Sequence, residues 1–126
     1  MLWQGKSVRK SSGGRYHPAR SKKRHEIGSA PTDTHIGADK RKISRVRGGN
    51  TKVRALRCDI ASVCNQKTGE MMRATIENVE ENASNPNFVR RNLLTKGAII
   101  KTSVGRAKIT SRPGQHGVIN AILLTE

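Results

Sequence analysis

The sequence predicts an all-β protein, a small antiparallel six-stranded barrel that carries a long, extended, basic N-terminal arm. Three observations lead there. From Ile43 onward, short runs of alternating apolar residues are separated by turns rich in Gly, Asn and Pro, the pattern of short strands. Before that point Gly5, Gly13, Gly14, Pro18, Gly28, Pro31 and Gly37 interrupt every stretch that could become a helix or strand. Finally, 25 Lys+Arg face 9 Asp+Glu in 126 residues, a net charge of +16, and the excess is concentrated early. Residues 1–57 hold 16 Lys/Arg and 3 Asp/Glu, or +13, whereas residues 58–126 hold 9 and 6, or +3.

Taken in order, residues 1–42 form the arm. They offer too little apolar surface to offset the entropy of ordering the chain. Fully extended at about 3.3 Å per residue, such an arm reaches on the order of 130 Å. The barrel domain then occupies residues 43–126. "ISRVRGGNTKVRALRCDIASV" reads as a hairpin turning at Gly48-Gly49-Asn50, where positive φ is cheap for glycine. Its second strand is predicted to run continuously through Val63, with Leu56, Cys58 and Ile60 on one parity and Val53, Ala55, Ala61 and Val63 on the other. "NQKTGE" is the next turn, and "MMRATIENV" the next strand, with Met72, Ala74 and Ile76 in phase. "ENASNPNFVRRN" is a polar loop with room for one helical turn near Phe88–Arg91. "GAIIKTS", "RAKITS" and "VINAILL" supply the last three strands, the last two separated by the turn "RPGQHG".

Composition also excludes. Cys58 and Cys64 lie six apart, unlike the closely paired ligands of zinc ribbons and fingers, so they read as reduced structural thiols and no metal is expected. His17, His25 and His35 lie in the arm, where nothing fixes a general base against a nucleophile. No phosphate-cradling glycine loop occurs, no cofactor is implied and no small-molecule substrate is expected. An enzyme is therefore not predicted. A membrane partner is disfavoured by the lack of a long apolar run or a basic amphipathic helix. With no signal peptide at its start, the chain is placed in the cytoplasm.

The basic clusters carry the functional reading. In the arm they are Lys6, Arg9, Lys10, Arg15, Arg20, Lys22, Lys23 and Arg24, then Lys40, Arg41 and Lys42. The hairpin adds Arg45, Arg47, Lys52, Arg54 and Arg57, and a second patch after the Asn-rich loop comprises Arg90, Arg91 and Lys96, with Arg112 extending it. One such run on its own reads equally well as a localisation signal or a solubilising face. Repetition over a third of the chain, interleaved with small residues that let backbone approach phosphate, points to nucleic acid instead. Aromatic residues are only 2 % of the chain, so base stacking is a minor contributor and backbone and shape recognition dominate.

"GGR", "KKRHEIG", "THIG", "RVRGGNTKVRALR", "NPNFVRRN", "TKGAII" and "SRPGQHGVINA" follow one another along the whole chain. In this the sequence resembles the archaeal form of a small-subunit ribosomal protein family of archaea and eukaryotes, the one numbered eight in the "e" series. The resemblance implies a small β-barrel, a long N-terminal extension buried in small-subunit ribosomal RNA, neighbouring small-subunit ribosomal proteins as further partners, a place in the cytoplasmic ribosome, and no catalysis. The insertions of the longer eukaryotic members are missing here. The competing reading is a free-standing RNA-binding or chaperone-like module that visits RNA transiently.

Overall fold

The computed structural model describes Leu2, Gln4 and residues 7–124. The chain divides into two compact units, residues 1–31 and 32–126. Among the described residues of the first unit none is buried, so local hydrogen bonds rather than a core shape it. One tight turn is closed by the Lys10 N–H donating to the Gly14 carbonyl at 2.7 Å and the Tyr16 N–H to that of Val8 at 3.0 Å. A one-turn 3-10 helix covers Arg24–Glu26.

The second unit contains β1 (His35–Ile36), β2 (Lys40–Arg45), β3 (Thr51–Cys58), β4 (Ile60–Cys64), β5 (Met71–Glu81), α1 (Pro86–Arg90), β6 (Ile99–Thr102), β7 (Gly105–Ile109), α2 (Pro113–His116) and β8 (Asn120–Leu123). Strand structure thus begins at His35, and Lys40–Lys42, placed with the arm by sequence, lie on β2. The expected hairpin forms: β2 and β3 pair antiparallel around a 3-10 turn at Arg47–Gly49, with Gly48 and Gly49 both at φ 75°.

That hairpin stands outside the barrel. β1, β2 and β3 make a three-stranded sheet in the order β1-β3-β2, while β4 to β8 close a separate five-stranded barrel. The expectation of six antiparallel strands is corrected on both counts. The predicted long second strand divides at Asp59, and its two halves enter different sheets. Burial shows the break directly, because Cys58 is buried and Ile60 is 48 % exposed, although unbroken alternation would put both on one face. Once the hairpin is excluded, the ring holds an odd number of strands, and strict antiparallel alternation cannot close an odd ring. The closure falls between β4 and β8, which pair parallel, with Val63 opposite Ala121.

Five strands enclose a narrow interior, and alanine supplies much of it. Ala61, Ala74, Ala98, Ala107 and Ala121 are all buried, packed with Val63, Ile76, Val79, Leu94, Ile100, Ile109 and Ile119. Tapering small barrels are filled by such mixtures of small and large side chains. On β5 the inward phase runs Ala74, Ile76, then Val79, and the slip coincides with a register irregularity between Ile76 and Asn78. A bulge of this kind bends a long strand and helps it wrap two neighbours. Asn85 caps α1 by accepting from the Asn87 N–H at 2.9 Å, with Pro86 in the first turn.

Candidate nucleic-acid interface

Cross-strand register decides where the hairpin cations sit. Lys42 lies directly opposite Arg54, and Lys40 opposite Arg57. Partners facing each other in an antiparallel pair project to the same face, so each pair places two positive charges side by side. Like charges in this relation destabilise a sheet by a few tenths of a kcal/mol up to about 1 kcal/mol. On the same face as Lys42 and Arg54, Lys52 lies opposite Ser44, whereas Arg41 and Arg45 share the other face with Ile43 and Val53. Arg47 is exposed at the turn. Among the described residues the one hairpin cation in an ion pair is Arg41, held to Asp39 at 2.8 Å.

The barrel treats its cations differently. Lys101 is bridged to Glu77 at 3.1 Å, and Arg106 reaches both Glu80, at 2.6 Å, and Glu81, at 3.5 Å. Acids are therefore gathered on β5, where they neutralise β6 and β7, and the hairpin is left strongly positive. This segregation is a tertiary arrangement of charges that a sequence count shows only as an average.

Arg112 is exposed between β7 and β8. It precedes α2, whose last turn packs on β3: a Cβ placed on Gly117 would fall 2.7 Å from Val53 Cγ1. The Lys52 ammonium also donates to Gln115 Oε1 of α2 at 3.1 Å. α2 also approaches Thr32, where a Cβ on Gly114 would lie 3.2 Å from the Thr32 carbonyl oxygen, next to the Asp33 that pairs with Arg91. Arg90 ends α1, Arg91 follows it and bonds Asp33 at 3.3 Å, and Lys96 is exposed in the loop before β6.

Of the arm residues, Lys6 lies outside the described residues, while Arg9, Lys10, Arg15, Arg20, Lys23 and Arg24 are exposed and Lys22 is half-buried. Arg9 and Arg15 are bridge partners at the tight turn, again two like charges opposite each other. Arg20 is paired with Glu26 at 2.7 Å. Sequence reasoning passed over the acids that organise basic residues, Glu26 and Asp33. A single carboxylate inside an otherwise cationic run is the signal that marks Glu26.

The two cysteines sit apart in character as well as position. Cys58 is buried at the end of β3, donating to the Ile60 carbonyl at 3.2 Å, and burial followed by the nearby Asp39 pushes its thiol pKa up. Cys64 is half-buried at the end of β4. Among the described residues, no helix is long and apolar enough to cross a membrane.

Comparison with known proteins adds independent information. The family model described as "Ribosomal protein S8e" matches residues 3–124. The small ribosomal subunit protein eS8 of Methanospirillum hungatei is 71 % identical over 124 residues, covering 98 % of this chain and 99 % of that relative. The proteins of the same name from Methanosphaerula palustris and Haloarcula marismortui are 65 % and 51 % identical, covering 98 % and 96 % of this chain and 99 % and 97 % of their own lengths.

Proposed function

As the chain belongs to the S8e family of ribosomal proteins, we propose that it grips small-subunit ribosomal RNA with two cationic surfaces, the β2–β3 hairpin and the N-terminal arm. It is a structural component of the small ribosomal subunit in the cytoplasm, not an enzyme, and it meets RNA and other proteins of that subunit. The observation that carries the finer reading is the cross-strand register that sets Lys42 opposite Arg54 and Lys40 opposite Arg57. A sheet that opposes like charges is less stable alone, and a polyanion laid across it turns that repulsion into binding. Each phosphate neutralised releases a condensed counterion.

The arm complements the hairpin in a way its composition supports. Eight Lys/Arg precede Thr32, in a segment none of whose described residues is buried. A segment of this kind orders along RNA as it binds, threading between helices that a folded domain is too wide to enter. The proposed contacts are Lys6, Arg9, Lys10, Arg15, Arg20, Lys22, Lys23 and Arg24 in the arm, Lys40, Arg41, Lys42, Arg45, Arg47, Lys52, Arg54 and Arg57 at the hairpin, and Arg112 between β7 and β8. Arg90, Arg91 and Lys96 form a smaller third contact.

A salt titration of small-subunit ribosomal RNA binding, with the whole chain and with a chain starting at Thr32, tests the division. If roughly six arm cations meet phosphates, the slope of log K against log[salt] falls by about 4–5 on truncation. The truncated protein keeps every strand and should still melt cooperatively. Equal slopes for the two proteins would refute the role of the arm.

A further inference from the structure

Glu26 is the one acid among the first 32 residues, which otherwise carry eight Lys/Arg. A carboxylate in a segment that binds a polyanion weakens binding by repulsion, so its place there calls for a physical reason. The structure supplies one. Arg20 Nη1 donates to Glu26 Oε2 at 2.9 Å and Arg20 Nη2 to Oε1 at 2.7 Å, the two-pronged geometry of a guanidinium on a carboxylate. The Lys23 backbone N–H donates to the same Oε2 at 3.0 Å, and the Glu26 N–H donates back to the Lys23 carbonyl at 2.9 Å. One carboxylate therefore ties residue 20 to residues 23 and 26 and closes the segment around the 3-10 turn.

Closing that turn aims its remaining cations. Successive side chains on a 3-10 helix are about 120° apart, so Arg24 and His25 diverge from Glu26, which is engaged with Arg20, and Lys23 precedes them as the extended N-cap residue. Lys23, Arg24 and His25 are exposed, and among the described residues neither Lys23 nor Arg24 is in an ion pair. His25 Nε2 lies 3.7 Å from Glu26 Oε1. The Arg20 hydrogen bond, then the Lys23 N–H, hold the Glu26 pKa down to about 2, so the carboxylate stays charged throughout the physiological range.

We propose that the Arg20–Glu26 clasp makes residues 20–26 a preformed phosphate-binding turn, which presents Lys23 and Arg24 to the phosphodiester backbone of RNA, with Glu26 as its positioning residue. The proposal rests on the reading that the arm binds ribosomal RNA. Its content is that an acid in the arm increases affinity by pre-ordering two cations, against the sign of its own charge.

Because the clasp removes one positive and one negative charge from play, it is tested without changing net charge. In the full-length protein, Arg20→Gln/Glu26→Gln deletes both partners. If about one molecule in ten then holds the competent turn, the apparent Kd for small-subunit ribosomal RNA rises about tenfold, with the salt slope unchanged. Counterion release alone predicts no change for that double variant. For Glu26→Gln by itself it predicts binding about fivefold tighter at 0.15 M salt, with a slope steeper by about 0.9, as the freed Arg20 finds a phosphate. The clasp predicts that Glu26→Gln binds no tighter than wild type. Lys23→Gln/Arg24→Gln provides the separate arm, with a slope expected to fall by about 1.8. A clear loss there together with wild-type binding by Arg20→Gln/Glu26→Gln overturns the clasp and leaves the RNA-binding arm standing. Wild-type binding and slope for Lys23→Gln/Arg24→Gln overturns the phosphate contact itself at this turn.

Discussion

At Gly117 a single added carbon atom would press α2 against β3. This glycine follows α2 in a left-handed conformation, φ 73° and ψ 10°, with its N–H donating to the Pro113 carbonyl at 3.0 Å. A Cβ there would meet Val53 Cγ1 at 2.7 Å and the Val53 carbonyl oxygen at 3.1 Å. Gly117→Ala therefore carries two costs, about 1–2 kcal/mol for the left-handed backbone and a further 1–3 kcal/mol for overpacking against β3. Gly49→Ala is the matched control, because Gly49 has φ 75° and nothing within 4 Å of its missing Cβ. It should lose only the backbone part, about 1–2 kcal/mol. At about 4–8 °C per kcal/mol for a domain near this size, Gly117→Ala should melt at least about 4 °C below Gly49→Ala. Thermal unfolding followed by circular dichroism reads the difference. In a Val53→Ala background the closest clash, with Val53 Cγ1, is removed, so the Gly117→Ala penalty should shrink while that of Gly49→Ala stays fixed. Equal melting temperatures for the two alanine variants would show that α2 does not press on β3.

Three other outcomes follow from the same geometry. Arg54→Glu converts the Lys42 pairing from like to opposite charge, so the free protein should gain about 0.5–1 kcal/mol while its RNA affinity and salt slope both fall; a destabilised variant would contradict the register. The depressed Glu26 pKa means that the clasp contributes fully above about 4.5 and fades as pH falls toward about 2. An NMR titration should place the carboxyl midpoint near that lower value, and Arg20→Gln should move it back up. Burial raises the pKa of Cys58 and covers it, so alkylation at mildly alkaline pH should modify Cys64 first; faster labelling of Cys58 would place it outside the core.

Much of the architecture is legible in local chemistry. The Gly48-Gly49-Asn50 turn was readable because two adjacent positive φ values cost little only where Cβ is absent, as at Gly48 and Gly49. The inward set Met72, Ala74 and Ile76 could be read as far as Ile76, and was lost beyond it because a bulge shifts parity without leaving a mark in composition. The split at Asp59 was hidden for a similar reason. Apolar residues on both parities mark a strand covered on two sides, and they do so equally whether the cover is one barrel or two different sheets.

The chemistry of each segment could thus be read from the amino acids alone: the charge gradient toward the N-terminus, the β character after it, the hairpin turn, and the chain of motifs that carries the family resemblance. Those properties follow from composition and from neighbours a few residues apart. Long-range contacts set the rest: which strands close the ring, that β4 and β8 close it in parallel, that Lys52 meets Gln115 of α2, and that the β5 acids face the cations of β6 and β7 while Lys42 stands opposite Arg54. Each of these depends on contacts between residues far apart in the chain. Alternation says that a residue faces inward or outward, but the partner it meets is set by closure of the whole sheet, which no local window contains.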